Sequence, residues 1–435
     1  MSTQQRLMIV LMCLMCLVGT VMAWGASAQY QSIMSKDFAG TEITAWQWDK
    51  PEFCKAIEDY IKETSGVIVK GQTMSGEEIR NKIITSAAAG VGLADALRGG
   101  TYNVPEYVEI GAIRDLTELV RPYMHLLPSI TWKMSTYKGK IWTVPSNSPA
   151  GGVFYRYDVL QKYGIDPRQI KTWDDFIIAG QKLVNASKGK VYMINNPAVG
   201  IQNYIALTIQ QQFRAEIIGN DLTVKLNSDN WRKALELMQK IKKSNIGIEM
   251  EDWSLPWYQA IKDGTIAAFP SGTWFLQTII MHAPDSKGKW YFTPFPAVTP
   301  GGDRYPSFGC ASHFISSQTK KVGAVFEWIK AWALEPKSTV EIGFKQLGIS
   351  IINVAQLKDP DFGKPHEYFA LKQPFWRVAY AAIGNISYFS PVTPYDHEAQ
   401  DIFNAEMEKW WLGKITTEAF LENTAETLKS KLGLK

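Results

Sequence analysis

Apolar and polar residues follow two periods along this chain, and the switches between them mark the elements. Ile43 to Trp48 alternates with a period of two, as a strand does, so Trp46 and Trp48 face the same way. From Pro51 to Thr64, Phe53, Ile57, Tyr60 and Ile61 fall on one helical stripe, with Pro51 suited to a first turn. Gly66 ends that helix and the run VIVK follows as a short strand. Ser75-Gly-Glu-Glu78 has the form of a capping box before Ile79, Ile83 and Ile84. LADALRGGTY then reads as a strand running into Gly99-Gly100. Strand, helix, strand, helix, strand is the order of a parallel sheet with helices on its faces.

In such sheets ligands bind outside the carboxyl ends of the strands. Trp46, Trp48 and Asp49 end the first strand, and Thr101 and Tyr102 follow the glycine pair of the third. These five therefore form a candidate site wall, the competing reading being that the tryptophans cap the sheet as packing. PSNSPAGG, residues 145–152, and TPFPAVTPGGD, residues 293–303, carry neither period and suit connections between domains. Between them, Thr172 caps a helix through Phe176 and Leu183, and 228–243 forms another with Trp231, Leu235, Met238 and Ile241 on one side. IAAFPSGTWF reads as a buried strand ending in a turn and Trp274. A further strand, ASHFIS, precedes an amphipathic helix and a mostly helical C-terminus.

Composition adds two things. Sixteen tryptophans in 435 residues is a large allotment, and tryptophan is a contact surface as well as core filler. Trp173, Trp231 and Trp328 sit on helical stripes and read as core, as do Trp410 and Trp411; Trp253 and Trp257 fit either role. A net charge of +4 without a basic run argues against nucleic acid as partner. The first 28 residues resemble a signal peptide: Arg6, an apolar run from Leu7 to Ala23, then Ala26-Ser27-Ala28. An uncleaved anchor is the alternative. A lipid anchor on Cys13 or Cys16 would want a small residue before the cysteine, and Met12 and Met15 stand there instead. The mature chain would then begin near Gln29, in the periplasm. It would keep Cys54 and Cys310, either as a disulfide or as two buried thiols. Neither CxxC nor HExxH occurs and the five histidines are scattered, so no metal and no cofactor is expected.

At RDLTELV, YKGKIWTVP, VFYRYDVLQKYGI and KTWDDF the chain resembles the extracellular solute-binding proteins of ABC importers, in the sugar-binding group related to maltose-binding protein. Tyr137, Gly139, Lys140, Pro145, Tyr155, Asp158, Thr172 and Trp173 carry that tract, and DGTIAAFPSGTW matches a second block. The resemblance implies an α/β, two-lobed periplasmic-binding-protein fold (type II-like) with a ligand cleft between the lobes. It places the first lobe at 40–147 plus 297–334 and the second at 148–296 plus 335–435. It implies capture of a carbohydrate or polyol, without catalysis, for an ABC membrane permease, by a protein expected to be a monomer. Carried over by position, the ligand contacts are Trp46, Trp48, Asp49, Thr101, Tyr102, Asn147, Trp274, Trp376, Arg377 and Tyr395. Pro149 stands where maltose binders carry a glutamate, which counts against maltodextrin specificity.

The alternative is an exported carbohydrate-active enzyme such as a glycosidase. It needs two carboxylates about 5–10 Å apart, and no pair is singled out. A binder of metal, phosphate or amino acid would want clustered ligating residues or a glycine-rich helix start, and neither is evident.

Overall fold

In the computed structural model, residues 30–195, 204–348 and 352–435 are described; the signal-peptide reading lies outside them. Two separate sheets organise these residues. The first contains β1 (Glu42–Gln47), β2 (Ile68–Thr73), β3 (Ala96–Gly100), β4 (Val144–Pro145) and β8 (Ala311–Ile315). The second contains β5 (Gly151–Arg156), β6 (Ala268–Gly272) and β7 (Trp290–Thr293). The first runs β2-β1-β3-β8-β4, with β1 parallel to β2 and β3, and β8 antiparallel to β3 and β4. In the second, β5 lies between β6 and β7, antiparallel to both.

The strand and helix periods decide what each face buries. On β1, Ile43 and Ala45 join Ile57 and Ile61 of α1 (Pro51–Thr64) in one core. Trp46 points the other way, onto Ile79 and Ile83 of α2 (Gly76–Ala89). The Ser75 capping box forms as its spacing predicts: Ser75 Oγ accepts from Glu78 N, and Glu78 Oε2 accepts from Ser75 N. The Thr172 cap forms likewise with Asp175. A second core gathers around β5, where Trp173, Trp231, Trp410 and Trp411 are buried, as their helical stripes predict. Trp328 is buried in the first core. Cys54 and Cys310 are both free and buried, and burial pushes the Cys54 thiol up to about 12, where it is inert.

The chain passes from the first sheet to the second between β4 and β5, and returns between β7 and β8. The two crossings form a ribbon: Phe308 N donates to Pro149 O, Ala150 bridges Ser307, and Asn147 Oδ1 accepts from Ala311 N at 2.6 Å. Beyond Leu334 the chain touches both halves. Ile352, Ala382 and Ile383 join the first core, Phe375 packs on Phe154 and Phe292, and the last two helices join the second core. No helix among the described residues is long and apolar enough to cross a membrane.

One side chain ties the first sheet to the crossing. Arg98 on β3 is 4 % exposed and forms a two-point ion pair with Asp49, Nε–Oδ2 2.8 Å and Nη2–Oδ1 3.1 Å. Its Nη1 donates to Ser146 Oγ at 2.6 Å and meets His313 Nε2 at 2.7 Å. Burial, and the charge of Arg98, push His313 well below its usual pKa, so a neutral imidazole accepts there. Trp48 and Trp332 cover the guanidinium at 5.5 and 5.4 Å. Removing one partner of such a pair leaves a buried charge without compensation. Asp49→Ala is therefore expected to cost about 3–5 kcal/mol in urea unfolding. A cost below about 1 kcal/mol, as for an exposed pair, would mean that Asp49 is not committed to Arg98.

Candidate functional site

The second sheet builds a pocket at the end of β6. That strand is buried throughout and stops at Gly272, which Thr273 and Trp274 follow. A side chain at 272 has no room: a Cβ there would lie 2.3 Å from Trp274 Nε1. The glycine thus lets the indole fold back along the strand end, the physical content of the G-x-W spacing. Trp253 stacks on Trp274 with ring centres 5.6 Å apart and planes 28° apart. Tyr204 meets Trp274 at 5.7 Å, and Trp257 meets Trp253 at 5.1 Å. These four rings, with Asn195, Asp252 and Ser271, line an open pocket enclosing about 370 Å³ of empty space.

Local sequence sets these rings. Ser254 caps the helix Leu255–Asp263, its hydroxyl accepting from Trp257 N, and Pro256 sits in the first turn. Just before that cap, Trp253 has φ +66°, a left-handed conformation costly for an aromatic residue, about 1–3 kcal/mol. Its ring is held 37 % exposed over the pocket. Asp252 accepts from the Asn195 side-chain amide, and burial raises its carboxyl to about 6. Ser271 Oγ and Trp257 Nε1 have no hydrogen-bond partner among the described residues, although these side chains are 2 % and 5 % exposed. Unlike the unpaired Trp328 and Trp411 indoles of the packed cores, these two belong to residues that line a pocket, where a bound group could pair them.

A second pocket, about 350 Å³, opens in the first half. Asp49, Arg98, Asn147, Trp332 and Thr339 are in its wall. Its charges already satisfy one another. Contacts also run between the halves: His397, at the start of the helix Asp396–Trp411, meets Asn103 Nδ2 at 2.8 Å and the Tyr102 ring at 6.0 Å.

The residues singled out in the sequence are dispersed among these places. Trp274 lines the aromatic pocket; Asp49 and Asn147 line the second. Trp46 and Trp48 share a face, as their alternation predicts, but that face is covered by α2: Trp46 is 6 % exposed and Lys82 lies over its ring. Thr101 is buried, bonding Cys310 through its N and Oγ1. Tyr102 is exposed beside His397. Trp376 is buried against Phe344 and His366, and Arg377 next to it is exposed. Tyr395 is half-buried, its N–H donating to Thr393 Oγ1. Asn195, Tyr204, Asp252 and Ser271 were not singled out. Trp257 was left open with Trp253, and the Asp-Trp-Ser-Leu-Pro-Trp run at a helix start was their available signal. No group of three or more His, Cys, Asp or Glu that could hold a metal occurs among the described residues.

Residues 55–370 match the profile of the bacterial extracellular solute-binding proteins. An arabinooligosaccharide-binding protein of Bacillus subtilis is 24 % identical over 388 residues, covering 84 % of this chain and 85 % of that protein. The arabinooligosaccharide-binding protein of Halalkalibacterium halodurans is 20 % identical over 304 residues, 67 % of each chain. Among solved structures, the ABC transporter associated binding protein of B. animalis subsp. lactis, in complex with beta-1,6-galactobiose, has the same fold. It superposes with a TM-score of 0.75 at 20 % identity, over 90 % of this chain and 97 % of that one.

Asp252 gives a test of this geometry. Its folded pKa, about 6, lies above the unfolded value of about 3.9, so the ionised form opposes folding. Its contribution is most favourable below about pH 4 and is lost as pH rises through 6. Asp252→Asn is accordingly expected to stabilise the ligand-free protein at pH 8 by about 1 kcal/mol, discounted for the pocket's open mouth, with little effect at pH 4. Urea unfolding at both values checks this; equal effects at both would place Asp252 in free solvent.

Proposed function

The chain belongs to the bacterial extracellular solute-binding protein family, and on that premise we propose that it captures a carbohydrate or polyol in an interlobe cleft and hands it to the membrane permease of an ABC importer. The family consists of exported binding proteins, not enzymes, and the fold is the two-lobed one. The proposed lobes are 40–147 plus 297–334 and 148–296 plus 335–435, the last segment also lending Ile352, Ala382 and Ile383 to the first core, with a cleaved signal at 1–28 and a monomer at work in the periplasm. The observation that carries the ligand class is the aromatic pocket. Sugars present apolar C–H faces and a rim of hydroxyls; Trp253 and Trp274 suit the faces, and Asp252, Ser271 and Trp257 Nε1 suit the rim. Arabino-oligosaccharides and galactosides are the first substrates to try, by likeness to proteins that bind them. The glycosidase alternative lacks support, since the described lining of this pocket holds a single carboxylate, Asp252, and the mechanism needs a pair.

Trp274 is the first contact of the proposed site, with Trp253, Tyr204 and Trp257 around it. Tyr102 and Asn147 would meet the ligand from the other lobe on closure, while Asp49, held by Arg98, supports the strand end beside them. Trp46, Trp48 and Thr101 support the strand ends beneath them, and Trp376, Arg377 and Tyr395 belong to the segment that closes over the cleft.

The experiment is a thermal-shift screen of the chain from Gln29 against neutral oligosaccharides, monosaccharides and sugar alcohols. Ligand at one hundred times its Kd adds about 2.7 kcal/mol of stability. A rise with related sugars, recovered unchanged, and at least a tenfold loss of affinity in Trp274→Ala, is expected. A rise only with amino acids, phosphate or metal ions would overturn the reading.

A further inference from the structure

The polar end of the aromatic pocket contains three groups of different hydrogen-bonding character. Asp252, once ionised, only accepts; the Trp257 indole N–H only donates; the Ser271 hydroxyl does both. Trp257 Nε1 and Ser271 Oγ are the two orphans, each on a side chain more than nine-tenths buried. Asp252 bonds Asn195, and no cationic side chain among the described residues compensates it. Elsewhere this protein covers tryptophans with cations: Lys82 over Trp46, Arg98 over Trp48 and Trp332, Arg156 over Trp290. No Lys or Arg among the described residues lies over Trp257 or Trp274 in this way.

Three ligand chemistries can be set against that arrangement. A carboxylate or phosphate offers acceptors only: it would meet Trp257 and Ser271 but bring a like charge to Asp252. An ammonium offers donors only: it would meet Asp252 but leave the Trp257 N–H buried and unpaired. Hydroxyls offer both, and neighbouring hydroxyls on one neutral sugar unit satisfy all three groups.

We propose that Asp252 is the specificity-determining residue of this pocket: it receives a ligand hydroxyl, and it excludes sugars that carry an acidic group on the unit seated against Trp274. This rests on the carbohydrate reading above and adds the charge filter to it. A site built to bond a hydroxyl rejects analogues that leave its groups unpaired, and like charges across a small pocket add to the rejection.

The test is calorimetric titration of the full mature chain with matched sets: galactose, galacturonate and galactosamine, the corresponding glucose set, and the neutral sugars that raise its melting point with their uronates. At pH 7.5 the neutral member is expected to bind at least tenfold tighter than its uronate, while the amine, which carries no acidic group, is not rejected in this way. In Asp252→Asn the gap to the uronate should close to within about threefold, the uronate gaining and the neutral sugar losing. Asp252→Ser, smaller and also uncharged, should close it in the same direction. Circular dichroism of both variants verifies that they fold. A gap unchanged in both folded variants would overturn the filter while leaving the carbohydrate reading intact, as would a uronate binding the parent as tightly as the neutral sugar. Binding of no sugar of any kind would overturn both.

Discussion

Everything in the first half of this protein is arranged around a buried guanidinium. Arg98 would be costly to bury alone, since a desolvated charge needs both an opposite charge and hydrogen bonds. Asp49 supplies the charge, Ser146 and neutral His313 the bonds, and Trp48 and Trp332 the cover. These partners come from the end of β1, from the first crossing, from β8, and from the helical stretch just before the chain leaves Leu334. Satisfying one side chain therefore fixes the strand ends relative to the crossings. The crossings in turn are bonded to each other through Asn147 and Ala311. The node thus stiffens the first sheet where the chain leaves it for the second.

Two aspartates, Asp49 after β1 and Asp252 just before a helix, have opposite surroundings. Asp49 meets Arg98 and is neutralised within the fold. Asp252 meets an amide, carries no counter-charge, and has its carboxyl raised by burial. The first is structural and the second is held in reserve. Placing an uncompensated carboxylate beside two orphaned polar atoms and a tryptophan in a left-handed conformation is destabilising at every point. Under the proposed reading, a ligand bound there would remove that penalty.

The sequence displayed the helices, their caps and the packed tryptophans because each is a local regularity. Ser75 with Glu78, Thr172 with Asp175, and the stripe of Trp231 with Leu235 and Met238 need only residues three or four apart. Trp274 was singled out through the resemblance of its G-x-W block, and the structure gives that spacing a physical content, since Gly272 must be small for the indole to turn back. Alternation also placed Trp46 and Trp48 on a common face. It could not say which face, because that depends on where α2 packs, a choice made by the whole sheet. Asp252 was invisible for the same kind of reason: its partner Asn195 lies 57 residues away, and only their meeting makes the carboxyl unusual. Trp376 followed the reverse course, a plausible contact by position that Phe344 and His366 enclose.

The same distinction explains why tryptophan is so abundant here. The buried indoles at 173, 231 and 328 give large apolar area to the cores, and several others screen Lys or Arg side chains. Those uses consume both faces or the polar edge of the ring. Trp253 and Trp274 instead stack on each other and line open space, one of them from a strained backbone. Trp253 at the rim, with Trp257 and Ser271 unpaired beneath it, is the arrangement on which the proposed carbohydrate site rests.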